Sequence, residues 1–84
     1  MYEAVRAARR RAVGTKQALK AVSRGAAKAV YVARDAEPHV VKGLIDLCNE
    51  KQVAVFEVDS MADLGRTAGI KVGAAAVAIL HDTD

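Results

Sequence analysis

Lys16, Gln17, Lys20 and Arg24 have side chains of the types, and at the spacing, that engage phosphates or the edges of bases. They lie between Gly14-Thr15 and Gly25, a pattern that predicts a helix from Lys16 to Arg24. In this reading Thr15 is the N-cap, its hydroxyl accepting from a first-turn N–H, and Gly25 is the left-handed residue that ends the helix. At about 3.6 residues per turn, Ala18, Leu19 and Val22 form an apolar stripe and the four polar residues share the opposite face. Lys16 stands in the first turn, where the positive end of the helix dipole favours Asp or Glu, and a bound anion removes that conflict. A basic face that is merely solvated explains the same residues. No capping box is present, because Ala18 occupies the position three after Thr15.

The elements that must carry this stretch follow from periodicity. From Tyr2 to about Ala12, Ala4, Val5, Ala8 and Ala12 recur at helical spacing with Arg6, Arg9 and Arg10 turned outward, which leaves Val13 and Gly14 for a very short strand. The stripe is too thin, and too poor in Leu, Phe and Trp, to anchor a membrane. Ala29 to Ala33 is β-branched and aromatic and reads as a buried strand. After the loop 34–38, Pro38 suits the first position of a helix that reaches about Lys51, with Val41, Leu44, Ile45 and Cys48 as its buried stripe. Val53 to Val58 is a further strand, apolar on both faces apart from Glu57. Ser60 and Asp63 read as a variant capping box for a helix from Met61 to Ala68, closed by Gly69. The loop 70–73 leads to a small-residue strand from Ala74 to Leu80. Helices alternating with strands in this order predict an α/β fold, a three-layer α/β/α sandwich around a small mixed four-stranded sheet.

Composition sets the outer bounds. An 84-residue chain that is 52% hydrophobic and 27% charged is one globular domain, 1–84, with room for one core. Aromatics make up only 4% of it, so the core must be built from Val, Ile, Leu and Ala. Thirteen Lys and Arg against ten Asp and Glu give a net charge of +3 and a sequence pI near 9.3. The basic residues cluster early (Arg6, Arg9, Arg10, Arg11, Lys16), whereas Asp82 and Asp84 end the chain, which predicts one electropositive side and permits a polyanionic partner. The single Cys48, among Leu44, Ile45 and Leu47, forms no internal disulfide and fits a buried thiol in a reducing compartment. No run approaches a membrane span and there is no signal-peptide h-region, so the chain is read as cytoplasmic.

Four groups of residues, in order and spacing, carry a family likeness: Gly14-Thr15-Lys16-Gln17 with Lys20 and Arg24-Gly25; Ala33-Arg34-Asp35-Ala36-Glu37-Pro38; Leu47-Cys48-Asn49-Glu50-Lys51; and Leu64-Gly65 with Gly69-Ile70 and Ala74 to Ala78. On these the chain resembles the kink-turn RNA-binding family of small ribosomal proteins, the large-subunit protein seven-Ae type, and looks most like its short bacterial members. The resemblance implies a partner RNA with a kink-turn, a sharply bent duplex whose asymmetric loop is flanked by sheared G·A pairs. It implies no membrane and no DNA partner, and it makes the ribosome or a riboswitch-type RNA the setting. It implies that the start of the second helix enters the opened major groove, with Lys16, Gln17 and Lys20 at the guanine-reading positions and Gly14 letting the backbone come close. It implies a second surface in which Glu37, Val41, Ile70, Lys71 and Val72, with Gly73 at the loop's end, enclose bulged nucleotides. Read from the residues alone, Ile70 and Val72 serve equally as an apolar platform for an unstacked base or as packing on Leu64. Many members have Asn-Glu where this chain has Lys16-Gln17. A carboxylate accepts from two guanine N–H groups more strongly than an amide oxygen does, so weaker base discrimination and more charge-driven affinity are expected.

Catalysis is not expected, and neither a cofactor nor a metal is called for. Asp35 and Glu37 are better placed for capping than for acid/base work, Ser60 has no histidine near it in sequence, and Gly65, Gly69 and Gly73 match no dinucleotide or triphosphate loop. The other class compatible with the basic face is a protein-interaction module that meets an acidic partner.

Overall fold

The computed structural model describes residues 1–82, so Asp84, counted above in the acidic end, lies outside the described residues. In chain order the elements are α1 (Glu3–Ala7), β1 (Arg11–Val13), α2 (Thr15–Ser23), β2 (Ala27–Ala33), α3 (Pro38–Lys51), β3 (Ala54–Val58), α4 (Met61–Thr67) and β4 (Ala76–Leu80). The strands form one mixed sheet in the order β1-β4-β2-β3. β4 is antiparallel to both of its neighbours, and β2 and β3 are parallel, joined through α3. Helices α2 and α3 pack together over one face, and α1 and α4 cover part of the other. This is the expected α/β/α sandwich.

Central position explains the composition of β4. Strands flank both its edges and helices both its faces, so Ala76 to Ile79 are buried without alternation. Around it the core consists of aliphatic side chains: Val30 and Val32 from β2, Val22 from α2, Leu44 and Cys48 from α3, Leu64 from α4 and Val5 from α1.

Several boundaries differ from the sequence expectation. The first helix stops at Ala7, Ala8 is extended, and Arg11 to Val13 pair instead with Ile79 to Val77. An alanine stripe offers a long helix little burial, whereas pairing with β4 satisfies the backbone and covers the sheet edge. Arg11 fastens the turn: its guanidinium donates to the carbonyls of Val5 at 3.0 Å and Thr67 at 3.3 Å, tying α1 to α4. On α2, Leu19 is 38% exposed and Ala21 takes its place in the buried stripe beside Ala18 and Val22. The expected burial of β3 on both faces is also not found. It is an edge strand, paired with β2 alone, and Phe56 is 47% exposed.

The caps divide similarly. Helices α2 and α4 end where predicted, at Gly25 (φ 74°) and Gly69 (φ 89°). Ser60 Oγ accepts from Asp63 N–H at 3.1 Å, but the return half of the box is replaced: Asp63 binds Arg66, and the N–H of Ser60 donates to the Tyr2 hydroxyl at 3.2 Å.

Arg11→Met removes both guanidinium bonds while keeping an apolar stem. Two partly buried carbonyls lose their donor, and a loss of about 1–3 kcal/mol in urea unfolding is expected. Burial pushes the Cys48 thiol above its ordinary pKa. The unfolded chain therefore loses that proton at lower pH than the folded one, and stability falls as pH rises past the ordinary thiol value. Urea midpoints across the alkaline range should decline less steeply for Cys48→Ala than for the parent chain.

Candidate nucleic-acid interface

The start of α2 is held open by backbone geometry. Gly14, not Thr15, is the N-cap, with φ 102° and ψ 152°, a region that only glycine occupies without strain; Thr15 is the first helical residue and its hydroxyl caps nothing. The reason lies in the sheet. Gly14 N–H donates to Ala76 O at 2.8 Å, and this turns the chain from β1 into α2 too sharply for an L side chain. The first N–H to find a helical acceptor is that of Ala18, on Gly14 O at 2.9 Å. The preceding N–H groups have no side-chain cap, and no acidic residue stands in the first turn. Partial positive charge is left at that end.

Lys16, Gln17, Lys20 and Arg24 are all exposed along this helix. None of the three cations forms an ion pair among the described residues, whereas Arg34, Lys42 and Arg66 all pair with carboxylates elsewhere. Lys16 and Gln17 sit at the helix tip and Lys20 one turn along. Arg24 is the C-cap, about 13 Å from Thr15 at 1.5 Å per residue, and does not join the tip.

Two loops are brought to the same end by the residues before and within β4. Ala33 N–H donates to Ala75 O at 2.8 Å, which places the β2–α3 loop beside the α2 start. In that loop Asp35 Oδ1 accepts from Met61 N–H at 2.8 Å, so Asp35 caps α4. Glu37 is the exposed N-cap residue of α3, without a side-chain cap bond, and its carboxylate lies 3.4 Å from His39. Val41, expected to face nucleotides, is in the core at 7% exposure because helical periodicity points it beneath α3; Val40 is the exposed neighbour.

The loop between α4 and β4 is the other wall. Ala74 N–H donates to Met61 O at 3.0 Å and Ile70 N–H to Gly65 O at 3.0 Å, so the loop is folded back on α4. Gly65 makes this approach possible: a Cβ there would sit 2.1 Å from Val72 O. Held in this way, Ile70, Lys71 and Gly73 are exposed and Val72 is 71% exposed. Val72 is therefore not packed into the core, whereas Ile70, at 37% exposure, keeps most of its side chain covered. The sequence marks Gly65 as part of a family motif and of a glycine series, but not the close approach of Val72 O that requires a glycine there.

A three-layer sandwich that gathers a bare, cation-flanked helix start and two exposed loops at one end has the form of a small nucleic-acid-binding domain. The chain belongs to the Ribosomal protein L7Ae/L30e/S12e/Gadd45 family, whose pattern it matches over residues 1–84. It is 46% identical over 79 residues to a protein named "RNA-binding protein" from Bacillus pumilus, covering 94% of this chain and 96% of that one. It is likewise 46% identical over 80 residues to the RNA-binding protein YbxF of Geobacillus stearothermophilus, covering 95% and 98%. Among solved structures, the Giardia lamblia 15.5kD RNA binding protein superposes with a TM-score of 0.79 at 35% identity, covering 86% of this chain and 62% of that one. A Bacillus halodurans protein described as of unknown function superposes at 0.80 with 32% identity, covering 95% and 79%.

Gly65→Ala should displace the 70–73 loop, since its Cβ meets backbone that a rotamer change cannot move. Amide chemical shifts of Ile70 to Ala74 should change far more than those of α2, with a stability loss of about 1–3 kcal/mol.

Proposed function

We propose that this chain binds RNA, and that its target is a kink-turn read by the start of α2. The observation that carries the proposal is the combination at one point of uncapped helix N–H groups, Lys16 in the first turn, and Gln17 and Lys20 exposed beside it. Such an end favours anions without sequence preference, and the adjacent amide and ammonium supply hydrogen bonds to base edges. The glycine at the N-cap adds no side chain between the helix and a groove wall.

The roles divide by position. Lys16 lies where helix dipole and charge add, and it acts on phosphate or guanine oxygen. Gln17 offers an acceptor and a donor pair to the sheared G·A edges, and Lys20 reaches the next base or phosphate along. Ile70, Lys71 and Val72 on one loop and Glu37 on the other flank the bulged nucleotides, with Val72 as the apolar surface for an unstacked base. Val41, buried in the core, makes no contact itself. Arg24, at the far end of the helix, adds long-range attraction only. With an amide in place of a carboxylate at position 17, charge supplies a larger share of the affinity than base reading does.

The test is a gel-shift titration against a kink-turn RNA and a matched RNA in which Watson–Crick pairs replace the sheared G·A pairs. Affinity for the kink-turn is expected to fall log-linearly with salt, and the matched RNA to bind about tenfold or more weakly. Lys20→Ala should lower kink-turn affinity by a similar factor, and Gln17→Glu should widen the gap between the two RNAs. Equal binding of both RNAs by the parent chain would leave the basic face as a general polyanion or protein-docking surface.

A further inference from the structure

The chain has three aromatic residues, Tyr2, Tyr31 and Phe56, and the fold buries none of them in its core. Tyr2 is accounted for by its bond to Ser60. The other two are register partners on the parallel strands β2 and β3, their rings stacked with centroids 5.2 Å apart and planes 26° from parallel. They lie on the sheet face that α1 and α4 only partly cover, at a site separate from the α2 tip.

Three features of this face bear on what it holds. Phe56 is on an edge strand, so no strand among the described residues covers the side of its ring that faces away from Tyr31. The stack is therefore open at one end, where a further flat ring could continue it. Next to Tyr31 a groove of about 370 Å³ runs between α1 and the sheet, with small Ala8 and Ala29 leaving it room and Arg9 and Lys28 along it. Neither of those cations forms an ion pair among the described residues. The nearby acids are largely occupied: Glu57 points to the opposite face from Phe56 and, like Asp59, pairs with Arg34, at 3.7 and 3.3 Å. Asp82 is the carboxylate lining the groove.

We infer that this face is a second RNA-contacting surface, on which an unpaired base stacks on Phe56 in line with Tyr31 while Arg9 and Lys28 attract the flanking phosphates. The inference rests on the chain being an RNA binder but not on the kink-turn. Charge favours RNA over a second copy of the chain, because a two-fold contact through this face would bring two sets of unpaired cations together. It also favours RNA over an apolar peptide, which would leave those cations unanswered. Stacking of this kind tolerates any base, since every base has a π-face.

The experiment titrates the full chain with single-stranded oligouridylate and, separately, with a blunt-ended kink-turn RNA, following aromatic and amide NMR signals. Oligouridylate is expected to shift the Phe56 and Tyr31 ring signals and the Lys28 amide. Phe56→Ala should bind it about tenfold more weakly and Phe56→Leu little better, whereas Phe56→Tyr should retain parent affinity. All three variants should bind the blunt kink-turn as the parent does. The inference is overturned if oligouridylate shifts are confined to the α2 tip, if Phe56→Leu binds oligouridylate as well as the parent, or if Phe56→Ala loses both RNAs together. It is equally overturned if sedimentation shows self-association that Phe56→Ala abolishes while RNA binding persists. Failure of the kink-turn reading alone would appear as equal binding of kinked and unkinked duplexes, with the oligouridylate response intact.

Discussion

Three consecutive alanines before and at the start of β4 hold the candidate interface together. Ala74 donates to the first turn of α4, Ala75 accepts from the last residue of β2, and Ala76 accepts from the N-cap glycine of α2, all at 2.8 to 3.0 Å. Each bond links a different segment of chain to one strand end, so the helix tip and both loops are positioned relative to each other through a shared backbone. Small side chains are a condition of this arrangement. Ala74 and Ala76 are buried at this junction, so a larger side chain at either would overpack the core, at a cost of about 1–3 kcal/mol.

The same constraint explains why the candidate interface is built from backbone as much as from side chains. The first-turn N–H groups of α2 have no partner among the described residues, and the helix begins on a glycine whose conformation the sheet bond imposes. Opposite, the 70–73 loop is pressed onto α4 through Gly65, which directs Val72 outward. Exposure of a β-branched side chain and of uncapped donors is destabilising in isolation, and the stability of the remainder of the domain sustains both. Charge follows the same division. Carboxylates pair with Arg34 just after β2, Lys42 on α3 and Arg66 on α4, leaving the cations of α2 available to a polyanion.

Much of this was legible in the residues. The apolar stripe of α3, Pro38 at its start, the Ser60 cap, both terminating glycines and the sandwich class follow from spacing and local chemistry that act within a turn or two of helix. The expectations that failed are those in which distant chain competes with local preference. Thr15 has the chemistry of an N-cap, but the bond from Gly14 to Ala76 moves the helix start back by one residue. Alanine periodicity carries a helix through Ala12 until pairing with Val77 to Ile79 converts Arg11 to Val13 into a strand. Val53 to Val58 is as apolar as a central strand, yet it lies at the sheet edge because nothing in its own composition specifies a second neighbour.

Sequence by itself determined which residues could meet an anion, where most helices end, and that a small aliphatic core would sit under alternating helices and strands, because these depend on side-chain type and short-range periodicity. Tertiary structure alone decided that Gly14, Glu37 and the 70–73 loop share one end of the molecule, that Val41 is buried while Val72 is not, and that Phe56 and Tyr31 stack on an uncovered face. Those outcomes depend on strand order and on hydrogen bonds between residues 26 to 62 positions apart, such as Met61 N–H with the Asp35 carboxylate and Gly14 N–H with Ala76 O. No local pattern encodes contacts of that range.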